Sequence, residues 1–195
     1  MIDVLPVPKP YETFLQVKRC GDHSVSLRFY PAITQYYPTT RMEEMLGLCV
    51  GSPTLRRLEM YNIPIDYLTI VYECLARLKN KVWEEIVLFK QHIVHDHMEW
   101  IGTRILTSKL SLVSPLFHLS YLSVLAHHEN LELEVWLDPN VPSTLTDVQV
   151  RALPKRIRMH GHHESFAKQA TECGIEIIQA YEKPTLCHDD IAYPV

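Results

Sequence analysis

The feature that most constrains this fold is a strand, helix, strand order in the last third of the chain. Leu131-Glu132-Leu133-Glu134-Val135-Trp136-Leu137-Asp138 alternates apolar and acidic residues. Such alternation sets Leu131, Leu133, Val135 and Leu137 on one sheet face and leaves the glutamates in water. From His163 to Cys173, the residues Phe166, Ala167, Ala170 and Cys173 form a narrow apolar stripe, predicting a helix that Gly174 ends. Ile175-Glu176-Ile177-Ile178 then reads as a second strand. This order defines a packed domain but supplies no reactive group.

Composition narrows the class. The 195 residues are 47% hydrophobic and 22% charged, which suits one globular core. A net charge of -4 argues against nucleic-acid binding by the whole surface while allowing a local basic patch. Apolar runs stop short of the roughly 18 to 20 residues of a membrane span, and no cationic segment leads into an apolar N-terminal core, so neither a span nor a signal peptide is expected. Five cysteines, Cys20, Cys49, Cys74, Cys173 and Cys187, are an odd number without a close pair, so a disulfide framework is not expected and a reducing compartment fits. Glycine-rich phosphate loops are absent from the sequence.

Along the chain, residues 1–12 are expected to be a flexible proline-rich arm and 13–195 a single α+β domain, an antiparallel sheet with helices packed on it. Thr13 to Val17 and Val25 to Phe29 predict a hairpin turning at Gly21. Thr40 with Glu43 is a capping box opening a helix that carries Met42, Met45, Leu46 and Cys49. Asp66 is the expected N-cap of a helix bearing Leu68, Val71, Leu75 and Leu78, with Glu73 and Arg77 paired on its outer side. The apolar runs between Val82 and Leu125 predict three or four antiparallel strands, with no internal repeat. Thr144 to Leu153 predicts a short helix stopped by Pro154.

Candidate chemistry is sparse. His92, His95 and His97 with Asp96 form the densest ligand-type cluster, but a strand would place His92 apart and a helix would separate His97, so no metal or other cofactor is expected. His127, His128, His160, His162 and His163 read as loop histidines. No serine stands in a glycine-flanked elbow, no thiol has an activating context, and Cys74 and Cys173 read as small core residues, so no catalytic residue is assigned. Arg151, Lys155, Arg156 and Arg158 differ. They form a basic island in an acidic chain, made loop-like by Pro154 and Gly161, and are expected to face an anion.

The Pro8-Lys9-Pro10-Tyr11-Glu12 stretch, the element order and the pattern of Leu131 to Asp138 followed by Glu164 to Glu176 resemble rhabdovirus matrix proteins. The resemblance implies a non-enzymatic structural protein of the virion and host cytoplasm that self-associates, binds the nucleoprotein complex and an anionic membrane, and engages host proteins in budding. Arg151, Lys155, Arg156 and Arg158 would then contact membrane or nucleocapsid. Ile2, Val4, Leu5 and Val7 of the arm would dock on neighbouring copies, and Pro8, Pro10 and Tyr11 would stand as a late-motif-like segment. The alternative expectation is a regulatory protein that binds one host protein or RNA.

Overall fold

In a computed structural model, which describes residues 15–29, 47, 50–78, 81–113, 118–126, 128, 130–136, 145–161, 163–181 and 186, seven strands lie side by side in chain order and run the same way. The main sheet holds β1 (Leu15–Arg19), β2 (Ser24–Phe29), β3 (Arg57–Tyr61), β5 (Glu85–Phe89), β7 (Lys109–Val113), β8 (Glu132–Trp136), β9 (Arg156–His160) and β10 (Glu176–Ala180). Two short strands, β4 (Val82–Trp83) and β6 (Leu106–Thr107), pair in parallel just ahead of β5 and β7. Only β1 is antiparallel, joined to β2 by the expected hairpin, whose Gly21 takes φ 79°.

The antiparallel α+β architecture is therefore corrected to a parallel α/β one. Parallel neighbours require a crossover of a dozen or more residues, usually through a helix. Here the returns run through α1 (Ile65–Arg77), α2 (His95–Thr103), a 3-10 helix (Leu119–Leu125), α3 (Asp147–Arg151) and α4 (Glu164–Glu172). Between Val82 and Leu125 the apolar runs of α2 and the 3-10 helix are as short as those of strands, and run length alone cannot separate the two.

One position pattern recurs in every turn of the chain. Leu58 and Met60, Ile86 and Leu88, Leu110 and Leu112, Leu133 and Val135, and Ile157 and Met159 all point into one buried cluster, which Ile177 of β10 joins. Successive strands of this set begin 28, 24, 23, 24 and 20 residues apart, so the chain does contain a repeat. An apolar residue stands three positions before the first of each pair at Leu55 and Trp83, and the helical segments close the same core with Leu68, Met98, Leu122, Val150 and Phe166. Each repeat buries its apolar edge on the next, which is how a solenoid makes a continuous core from units that have none alone.

The exit from the strands also repeats. Asn62 (φ 45°), Lys90 (φ 46°) and Gly161 (φ 94°) follow directly on β3, β5 and β9 in the left-handed region. The turn carries the ladder one step further: the Asn62 N–H donates to Phe89 O at 3.0 Å and the Lys90 N–H to Val113 O at 2.8 Å. Gln91, buried just beyond, accepts from Ile63 N–H at 3.0 Å and donates back to Ile63 O at 2.6 Å, binding one repeat to the one before it.

The expected N-cap at Asp66 is corrected, since α1 opens at Pro64, whose fixed φ suits a helix start. Other local expectations meet their positions. Glu73 and Arg77 lie 3.7 Å apart on the surface of α1. Thr146 and Gln149 form a reciprocal capping box on α3. Phe166 and Ala170 of α4 are buried, and Gly174 beyond its end takes φ 81°. The arm of residues 1–12 and the helix expected at Thr40 lie outside the described residues, apart from Gly47 and Val50, which are helical.

Candidate functional site on the strand face

A strand turns alternate side chains to opposite faces, so the residues between the core positions form straight rows on the other side of the sheet. The first row reads Ser24, Arg57, Glu85, Lys109, Glu132, Arg156 and Glu176. The second reads Ser26, Glu59, Val87, Ser111, Glu134, Arg158 and Ile178, and the third Arg28, Tyr61, Phe89, Val113, Trp136, His160 and Ala180.

The first two rows hold one continuous charged network. Arg57 meets Glu59 at 3.0 Å and Glu85 at 2.9 Å. Lys109 reaches Glu85 at 3.3 Å and Glu134 at 2.5 Å. Ser111 donates to Glu85 at 2.7 Å, and the Tyr61 hydroxyl donates to Glu59. His160 Nε2 lies 2.7 Å from Glu134 Oε1, and because a carboxylate only accepts, that nitrogen carries the proton. Burial pushes the Glu134 carboxyl up, but hydrogen bonds from Lys109 and His160 outweigh it and hold the group below its ordinary value. Burial lowers Lys109, and Glu134 and Glu85 more than offset that, leaving it above its ordinary value.

The third row is aromatic and apolar. Tyr61 and Phe89 pack with ring centroids 5.5 Å apart, and Trp136 stacks on His160 at 3.9 Å and 13°. Leu186, from the end of the chain, closes over Tyr61, Val87, Phe89 and Val113 to make a second small core on this face. Toward β10 the face is open. There a cavity of about 200 Å³ is lined by Leu131, Glu132, Arg156, Arg158 and Ile178.

The basic island divides between two settings. Arg156 and Arg158 are not in a loop but on β9, a strand the sequence reading missed, with Ile157 and Met159 turned into the core. Arg156 pairs with Glu176 at 3.5 Å, and Arg158 with Glu132 at 3.4 Å and Glu134 at 3.9 Å, so both charges are partly balanced. Arg151, the last residue of α3, and Lys155, just ahead of β9, are both exposed. The expectation that both glutamates of β8 face water is corrected as well. Glu132 does, whereas Glu134 is buried in the network. Ile2, Val4, Leu5, Val7, Pro8, Pro10 and Tyr11 lie outside the described residues.

The histidines near α2 diverge. His97 points inward, its Nε2 2.9 Å from Thr69 Oγ1, and burial lowers its pKa against the opposing charge of Asp96. His95 faces solvent beside the Tyr121 ring. His95, Asp96 and Glu99 bring three donor atoms within 4.8 Å of one another, all exposed. A second cavity, about 630 Å³, lies just ahead of β3 and β5 among Leu55, Arg56, Leu78, Lys81 and Val82. Lys81 sits over the Trp83 ring there and donates to Ser52 O, and desolvation lowers its pKa. Cys74 and Cys173 are buried thiols, as expected of small core residues. Cys20 is disulfide-bonded, contrary to the expectation of reduced thiols, with its partner outside the described residues. No helix among the described residues is long and apolar enough to cross a membrane.

The fold and the repeated pair of core residues on each strand define the class: a parallel α/β sheet whose strands follow chain order, with the helices packed on one face. The sequence matches no protein-family model, no curated protein and no solved structure.

Proposed function

We propose that this chain is a non-enzymatic binding scaffold that holds a partner protein against the open part of its strand face, over β8, β9 and β10. The described helices pack on the core side of the sheet, which leaves the other side of β8, β9 and β10 free to meet a protein segment. The observation that carries the reading is the open cavity at Glu132, Arg156, Arg158 and Ile178, which presents charges of both signs and an apolar side chain on a rigid lattice. Mixed charge favours a protein over a uniformly anionic surface. It also sets this reading apart from the matrix-like role, whose membrane contact would fall to Arg151 and Lys155.

Selection of peptide ligands from a random library on the immobilised chain tests the proposal. Selected ligands should lose affinity on Arg158→Ala and on Ile178→Glu, and keep it on Lys168→Ala, which lies on the helical side. Ligands indifferent to both face substitutions would overturn it. So would cosedimentation with anionic liposomes that vanishes on changing Arg151 and Lys155 to Glu, which would support the membrane role.

A further inference from the structure

The first row of the strand face alternates in sign without a break across six strands: Arg57, Glu85, Lys109, Glu132, Arg156, Glu176. Glu85 is held from both sides, by Arg57 at 2.9 Å and Lys109 at 3.3 Å. Glu176 ends the row. It has Arg156 at 3.5 Å on one side, no described residue pairs with it on the other, and its side chain is 64% exposed.

The backbone of β10 points the same way. Glu176 N–H donates to Lys155 O at 2.8 Å, so in this parallel pair Glu176, Ile178 and Ala180 turn their peptide groups toward β9. Ile177 and Gln179 therefore turn their N–H and C=O outward, along an edge that no described strand occupies. Ile177 and Ile178 are half-buried, and Tyr181 just beyond is 79% exposed. Edge strands are usually blunted by lysine, proline or a bulge, and β10 has none of these.

We propose that β10 is a docking edge for an extended segment of a partner protein, which adds as one more parallel strand. The segment places Lys or Arg opposite Glu176, an apolar residue beside Ile177 and an uncharged residue beside Ile178. It thereby extends the charge row, the core row and the ladder by one step each. The β7 sequence Lys109-Leu110-Ser111-Leu112-Val113 has this form. Among the described residues, the strands of a second copy do not offer it, because β3, β7 and β9, which begin with a cation, are already paired on both edges. The edge adjoins the cavity on the face, with Ile178 common to both, but its own contacts run through Glu176 and the outward peptide groups of Ile177 and Gln179, which do not line the cavity.

The test uses the full chain and a fluorescent peptide containing Lys-Leu-Ser-Leu-Val, followed by anisotropy. Saturable binding is expected. Glu176→Lys should weaken it about fivefold or more, as expected for turning an exposed ion pair into a like-charge contact. The same variant should prefer a Glu-Leu-Ser-Leu-Val peptide, and that reversal excludes simple loss of folding. Methylating the peptide's backbone nitrogens that face Ile177 and Gln179 should abolish binding. No binding by the lysine peptide, or binding blind to both charge swaps, overturns the edge proposal while leaving Arg158-dependent ligands as the measure of the face. Concentration-dependent self-association lost in Glu176→Lys would assign the edge to a second copy and also overturn it.

Discussion

The strand face of this protein has two halves built on the same repeat, and they serve different ends. Over β3, β5 and β7 the outward residues are closed in: Tyr61, Val87, Phe89 and Val113 lie under Leu186, and Glu59 and Ser111 are buried in hydrogen bonds. Over β9 and β10 the equivalent positions carry Arg156, Arg158, Glu176 and Ile178, all partly or largely exposed. The backbone geometry is shared, so burial alone separates a structural network from a surface free to bind. A charge pair in the first half is costly to break, and one in the second half is worth little to stability yet available to a partner.

Substitutions on either side of that boundary test the contrast. The largest effect is expected from Glu134→Ala, which strands Lys109, Ser111 and His160 around a lost acceptor. Removing one partner from a buried pair costs about 3 kcal/mol or more, to be read from the urea midpoint. A loss under 1 kcal/mol would place Glu134 with the open half. Leu186→Ala should cost about 2 kcal/mol by emptying the cover over the aromatic row. A stability unchanged by it would mean that the first half is not closed by this residue.

Smaller effects follow at the turns. Gly161→Ala should cost about 1 kcal/mol, because an alanine is strained at φ 94°, whereas Lys90→Gly should be neutral or slightly stabilising since glycine relieves the same strain. Arg156→Ala on the open half should change stability by less than about 1 kcal/mol, since its pair with Glu176 is exposed on both sides. A loss of several kcal/mol there would erase the distinction between the halves.

Acid should act on two buried groups, His97 among the helices and Glu134 in the charged network. His97 has a lowered pKa, so the unfolded state takes up its proton more readily, and stability falls as pH drops below about 6.5 toward the folded value. Glu134 is also lowered, so the stability it contributes is present above the unfolded carboxylate value and is lost as pH falls through the folded one. Thr69→Val with His97→Gln should remove the upper limb of an acid-unfolding curve and leave the lower. A curve unchanged in the double variant would rule His97 out as its source.

Much of the local structure was legible in the residues. The hairpin at Gly21, the helix ended by Gly174, the short helix before Pro154 and the strands at β8 and β10 follow from alternation, helical spacing and turn chemistry. β9 was missed because Arg156 and Arg158 draw attention as a charged island, although Ile157 and Met159 between them keep the strand period. The repeat was missed for a related reason. Its helical segments differ in length and type, and only the strand positions, from Leu58 to Ile177, recur.

The candidate site was less legible still. Rows on this parallel sheet join residues 20 to 33 positions apart, so Glu85, Lys109 and Glu134 meet although nothing local links them. A chain that is acidic overall hides one row, from Arg57 to Glu176, where acids and bases alternate one for one.

The sequence by itself determined which segments are strands or helices at these positions, and which side chains seek the core, because spacing and turn residues act within a few positions along the chain. Only the tertiary structure decided that the strands run parallel, that Glu134 leaves water for an ion network and that Glu176 ends a row. Strand direction depends on whether the chain crosses back over the sheet, and a charge is buried or exposed according to neighbours that the sequence places far away.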